Sequence, residues 1–300
     1  MTKTQSMFAA LLCTFIWGTT FIAQDTGMEK IGPYVFNSVR FFVGFLVLIP
    51  FYLLLEKKTT KEVLSKNKKR FFYLATIIGI SLFLGALLQQ VALLYTDVAN
   101  AAFFTIFYVP MVPIIIFLFG KKSMHWSVWP SVILCLIGGY LLTNLHDATV
   151  RLGDTLVLIG ALFWSMHIIF VGIIVKEFNA PILVGLIQTF IVSICSVFPA
   201  LMFEEFIFSN ILEQKLQILY AGVLSGGIAF VLQIYAQQNI SPAPSAIIFS
   251  LEGVFATIAA WILLSQILNI SNIIGCVFIL LGVLVSQLVP LVKLNYNLNN

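Results

Sequence analysis

The chain has 300 residues, of which 60% are hydrophobic and only 9% charged, with a mean hydropathy of +1.05. A water-soluble domain carries about 25% charged residues, so a surface facing water is excluded and lipid is the natural solvent. The net charge of +4 does not point to nucleic acid, because seven of the 16 basic residues fall in one stretch: Lys57, Lys58, Lys61, Lys66, Lys68, Lys69 and Arg70. That clustering fits a cytoplasmic loop under the positive-inside rule, with contact to anionic lipid as a secondary role.

An apolar run of about 20 residues crosses the hydrocarbon core as a helix. Ten such runs follow in chain order: 6–25, 34–55, 71–94, 98–119, 127–145, 153–174, 182–203, 216–238, 243–264 and 270–289. The first is long for a signal peptide, and Phe21-Ile-Ala23 is a poor cleavage site, so it reads as an uncleaved first helix. In the fourth, Pro110 and Pro113 predict a kink beside Tyr108. Soft boundaries lie at Tyr95–Asn100 and Asn239–Pro244. No run alternates with period two, which leaves an all-α membrane protein. Cys13, Cys135, Cys195 and Cys276 sit in apolar runs and read as small buried hydrophobes. With the N-terminus in the cytoplasm, twelve basic residues fall inside, including Lys121, Lys122, Lys176 and Lys293. Lys30, Arg151 and Lys215 fall outside, and Arg40 lies within a helix. Both termini are therefore expected in the cytoplasm of a multi-pass protein of the cell (inner or plasma) membrane.

Self-comparison shows a repeat. Leu12-Cys-Thr-Phe-Ile-Trp17 aligns with Ile159-Gly-Ala-Leu-Phe-Trp164, Pro33 with Pro181, Gln90 with Gln233, and Gly139 with Gly282. The halves expected are 1–146 and 147–300. Five crossings each make the second half enter the membrane in the opposite sense, so the fold expected is ten transmembrane helices as two inverted five-helix repeats. Such repeats are a transporter signature, with the site where the halves meet.

Charges inside the hydrocarbon cost about 2.5–3.5 kcal/mol on insertion scales and mark functional candidates. Arg40 and Glu252 qualify. Arg40 would bind an anionic group such as a carboxylate, and Glu252 an ammonium or a proton; the alternative is a structural pair with each other or with backbone. Trp17, Thr20 and Gln24 share a face of the first helix, and Trp164 and His167 repeat the first two steps. The indoles could line a cavity as cation–π or apolar surfaces or simply pack. His167 could titrate near neutrality or be a hydrogen-bonded core residue. Gln89, Gln90, Asn100, Gln233, Gln237 and Gln238 form a further polar set. They either bridge helices or meet substrate. Tyr108 joins the substrate-binding candidates through the expected kink. His125, His146 and His167 are scattered, with no metal-ligand spacing, nucleophile elbow or phosphate loop. No catalytic group, metal or cofactor is expected, and the absence of a Walker motif argues against an ATP-driven pump within this chain.

Four stretches resemble the EamA family of the drug/metabolite transporter (DMT) superfamily: Phe15-Ile-Trp-Gly-Thr-Thr-Phe-Ile-Ala-Gln24, Ile31-Gly-Pro-Tyr-Val-Phe-Asn-Ser-Val-Arg-Phe41, Tyr235-Ala-Gln-Gln-Asn-Ile-Ser-Pro-Ala-Pro-Ser-Ala246 and Ser250-Leu-Glu-Gly-Val-Phe-Ala256. The resemblance implies a secondary transporter, an exporter or exchanger of amino acids or similar metabolites. It also implies a cavity lined by helices one to four and six to nine, with helices five and ten as packing elements. Gly253 stands where the family usually has Pro, and Gln266 where it often has an acid. No acid lies between Met7 and Gln24, so the proton coupling of the four-helix multidrug relatives does not transfer. The partners expected are a small-molecule substrate and the lipid bilayer, not nucleic acid, with the chain as monomer or homodimer. A scaffold or receptor subunit, or a membrane-embedded enzyme, are the competing classes.

Overall fold

The computed structural model describes residues 1–120, 124–143, 151–263, 265 and 267–298, with side chains described as far as residue 290. Lys121, Lys122, His146, Gln266, the expected boundary at 146–147 and the Lys293 side chain therefore lie outside the described residues. All regular structure described is helical: α1 Lys3–Thr26, α2 Pro33–Phe51, α3 Lys57–Ala92, α4 Val98–Thr105, α5 Tyr108–Gly120, α6 Val128–Leu142 and α7 Leu152–Glu177. There follow α8 Pro181–Phe203, α9 Phe208–Glu213, α10 Lys215–Leu219, α11 Phe230–Gln237, α12 Pro242–Phe249, α13 Leu251–Leu263 and α14 Ile270–Leu298. Wide π-helical segments at Tyr52–Glu56 and Tyr220–Ala229 bridge α2 to α3 and α10 to α11. Among the described residues, eight continuous helical stretches are long and apolar enough to cross a membrane, and α6 is apolar but shorter.

Helix starts follow local chemistry. Thr2 and Gln5 form a reciprocal capping box at α1. Proline opens α2, α8 and α12, where its missing N–H leaves no intrahelical bond unmade. The loop expected after the second apolar run is instead largely helical, because Lys and Glu are good helix formers. The resulting stretch, Pro33–Ala92, is 60 residues long, about 90 Å at 1.5 Å per residue, far beyond one bilayer crossing. Its charged middle separates two apolar arms. The backbone breaks within it at Asn67 (φ −165°, ψ 84°), whose Oδ1 accepts the Arg70 N–H at 3.0 Å and caps the second arm.

The fourth apolar run is broken at Ile106–Phe107, between α4 and α5. Pro110 has no N–H to offer the Ile106 carbonyl and its ring crowds that oxygen, so the break falls four residues before the proline. The ninth run is broken too, at Ser250 between α12 and α13, with no proline following the break as Pro110 follows the first. There the Ser250 hydroxyl donates back to the Ile247 carbonyl at 2.7 Å, a bond that bends helices. The two breaks lie side by side: a Cβ at Gly253 would stand 3.0 Å from Ile106 Cδ1.

α1 packs on α11, α13 and the Tyr220–Ala229 segment; α3 on α7 and α8; α2 on α8 and on Tyr220–Ala229; α7 on α4 and α5; and α6 on α14. Glycines set the closest approaches. A Cβ on Gly222 would meet the Arg40 carbonyl oxygen at 2.7 Å, and one on Gly138 the Gly275 oxygen at 2.6 Å, as expected where membrane helices touch through backbone.

Candidate functional site

One end of the bundle gathers Met1, Asn239, Pro244 and Gln287, through the Asn239 amide on the Met1 carbonyl and the Gln287 amide on Pro244. The opposite end gathers Lys30, Asn210, Asp97 and Arg151. Between them lies a narrow chamber of about 40 Å³. It is enough for a few waters.

Seven of the residues expected to bind substrate line it: Trp17, Gln24, Arg40, Tyr108, Trp164, Gln233 and Glu252. Arg40 is fully enclosed. Its Nε and Nη2 donate to Asn37 Oδ1 at 3.1 and 2.9 Å, and Asn37 Nδ2 donates to Ser196 Oγ at 2.9 Å. Phe41 lies under the guanidinium, 4.8 Å from ring centre to Cζ, a cation–π contact. Glu252 accepts from the Tyr108 hydroxyl at 3.0 Å. The ion pairs among the described residues are Arg70–Glu177 and Arg151–Asp97, both at the surface. Arg40 and Glu252 are therefore not a direct salt bridge; each is held by a neutral partner and faces the same space.

The two repeat-related tryptophans meet in the chamber with ring centres 6.5 Å apart. Trp17 packs on Phe230 and, edge-on, Phe249; Trp164 stacks flat on Phe230. Both indole Nε1 atoms are buried with no hydrogen-bond partner, and so is Gln233 Oε1. Buried polar groups are rarely left unpaired, so three orphans on residues that line one cavity set it apart from ordinary helix packing.

The other five expected residues lie behind or apart from this lining. Thr20 is buried, its hydroxyl turned onto the Ile16 carbonyl at 2.6 Å. Gln90 is bonded to Gln24 through both amide atoms, Nε2 to the Gln24 carbonyl and Oε1 from its side chain. His167 shares its ring nitrogens with Gln188 and Gln233. That fits a neutral imidazole donating from Nε2. Gln237 donates to the Ile168 carbonyl at 2.8 Å. Asn100 lines a larger opening near Tyr95, Asp97 and Arg151. Consecutive residues divide the two spaces, Gln24 facing the chamber and Asp25 the opening, so the barrier at that end is thin. Toward Met1 the chamber is backed by a packed apolar layer that includes Ala10, Ala236, Ile240, Ala243 and Ile247.

Phe41, Phe230, Phe249, Ser225 and Thr105 also line the chamber, without having stood out in the sequence. Phenylalanine is too common here, 28 of 300 residues, to mark a site. Asn37 was legible in principle, since it precedes Arg40 by one helical turn; Ser196, 159 residues from Asn37, was not.

A helical membrane protein with an aromatic chamber holding an unpaired arginine and an unpaired glutamate has the architecture of a small-molecule transporter. The comparisons with known proteins agree. Residues 4–144 and again 151–288 match the EamA-like transporter family, and the chain belongs to that family, one of the DMT superfamily. It is 31% identical over 277 residues to an uncharacterized transporter of Archaeoglobus fulgidus, covering 92% of this chain and 84% of that one. It is 22% identical to the uncharacterized transporter YoaV of Bacillus subtilis, covering 92% and 94%. A solved crystal structure, 15% identical, shares the fold with a TM-score of 0.76 over 96% of this chain and 98% of that one.

Proposed function

We propose that the chain is a secondary transporter, an exporter or exchanger of amino acids or similar small zwitterions, built as two inverted five-helix repeats in ten crossings and working by alternating access. The observation that carries this is the chamber: Arg40 and Glu252 face it without pairing with each other, so one ligand with a carboxylate and an ammonium can satisfy both. The indole N–H groups of Trp17 and Trp164 and the Gln233 carbonyl supply further partners.

Three features support the repeat. The family match occurs twice, once per half. Helix neighbours come in exchanged pairs, α1 on α11 against α3 on α7, and α2 on Tyr220–Ala229 against α3 on α8. The broken helices α4–α5 and α12–α13 occupy corresponding places, and discontinuous helices at the centre are a transporter device. The narrowness of the chamber, about 40 Å³, is in keeping with halves that part to admit a substrate. The basic stretch at the Met1 end supports a cytoplasmic location for that end and for both termini.

Counterflow of radiolabelled amino acids in vesicles reconstituted with the pure protein tests the proposal. Accumulation that is lost in Glu252→Gln at equal protein level is expected. No counterflow with any amino acid, or an unchanged rate in that variant, would overturn it.

A further inference from the structure

Two carboxylates outside the chamber make the same unusual contact in opposite directions. Glu204, the first residue past α8, accepts the backbone N–H groups of Tyr34 and Val35 at 3.0 and 2.7 Å, in the first turn of α2. Glu56, at the end of the π-helical segment that extends α2, accepts those of Ile182 and Leu183 at 2.7 and 3.5 Å, in the first turn of α8. Each thus caps the other helix's N-terminus, whose orphan donors and dipole favour an anion. The contacts lie at opposite ends of the bundle. Glu204 is at the Lys30 end, where Asn210 also bonds the Lys30 carbonyl; Glu56 is at the end where Asn179 bonds Gln238 beside Asn239.

Sequence spacing gives an independent line. Pro33 and Pro181, which open the two capped helices, are 148 residues apart, and so are Glu56 and Glu204. The repeat that pairs the helix starts also pairs the carboxylates. Both contacts join the first half of the chain to the second. Both contacts are formed in this one structure.

We infer that Glu56 and Glu204 are reciprocal latches of the transport cycle, each tying the two halves together at one membrane face, so that releasing one opens that face while the other holds. This rests on the alternating-access reading above. A carboxylate bonded to two backbone amides through the protein alone can let go and re-form without breaking any helix, which suits a contact that must cycle. Neither residue touches the chamber, so their role is to position the halves, not to bind substrate.

Hydrogen exchange of the full-length protein in lipid nanodiscs tests the pair. In Glu204→Gln, exchange at the Tyr34 and Val35 amides should rise about tenfold, since a charge-assisted bond becomes a weaker neutral one. Exchange at Ile182 and Leu183 should fall, because the opposite latch is more often shut. Glu56→Gln should show the mirror image. Gly32→Ala reaches the outer latch with both carboxylates intact, because its Cβ would stand 2.2 Å from the Glu204 carboxylate, and it should reproduce the Glu204→Gln pattern. Loosening confined to the variant's own helix start, with the distant one unchanged, would show two independent caps and overturn the inference. So would Gly32→Ala behaving like the parent protein. Counterflow measured on the same preparations separates the failures: transport without reciprocity removes the latches alone, and reciprocity without transport removes the transporter reading.

Discussion

On the proposed function, the side chains that matter most at the chamber are those whose hydrogen bonds do not close on the protein. Trp17 and Trp164 each bury an indole N–H without an acceptor, and an unmet buried donor costs about 1–3 kcal/mol. Phe at either position removes that donor and keeps most of the ring. Trp17→Phe and Trp164→Phe are therefore expected to leave thermal stability unchanged or slightly raised while transport falls about tenfold; a melting curve beside a counterflow rate reads both. Arg40 is aimed by Asn37, which itself leans on Ser196. Hydrogen bonds to a charged group contribute about 1.5–3 kcal/mol, so Asn37→Leu should lower the melting temperature and reduce transport together. Arg40→Lys should not restore function, because an ammonium is a point charge without the fork that spans Asn37 and the cavity.

At the scale of the helix, broken segments and glycine contacts carry the predictions. A proline inside a continuous helix costs about 3 kcal/mol. Gly253, where the family usually has proline, follows a break that already exists at Ser250, and its N–H makes only the 3.2 Å bond to the Ser250 carbonyl. Gly253→Pro should therefore cost well under the ~3 kcal/mol of a mid-helix proline, checked by melting in detergent, with Ile106 Cδ1 yielding to the added Cβ. Gly222→Ala should behave differently. Its Cβ meets the Arg40 backbone carbonyl at 2.7 Å, which cannot rotate aside, so α2 and Tyr220–Ala229 must separate. A loss of about 1–3 kcal/mol is expected, together with reduced transport, since that carbonyl belongs to the residue that carries the cation.

For the whole molecule, the basic residues described divide unevenly between the two ends of the bundle. A fluorescent protein joined after Asn300 should mature in the cytoplasm, and one joined before Met1 likewise; protease protection of both tags in inverted vesicles would contradict the orientation. The surface pair Arg70–Glu177, with the two side chains 48% and 33% exposed, plays no part in this. Exposed ion pairs contribute about 0–1 kcal/mol, and Glu177→Gln should change stability by no more than that.

Composition and periodicity alone determined that this chain lives in lipid, that its structure is helical, roughly where each apolar segment runs, and which two charges stand inside. The reason is that a bilayer imposes one rule on every segment: its backbone must bond within itself, and each buried charge is costly enough to be conspicuous. The local sequence also foretold a disturbance at Tyr108, because proline acts on its own helix. The tertiary structure decided the rest. It turned Thr20 onto its own backbone and placed Gln90, His167 and Gln237 behind the lining, though each sits on an apolar helix as Gln24 and Gln233 do. Which way an amide points depends on a neighbour dozens of residues away. It gave Arg40 and Glu252 neutral partners rather than each other. It brought Glu56 and Glu204 to distant helix starts, since a terminal N–H seeks any nearby anion and only the folded chain determines which one is near.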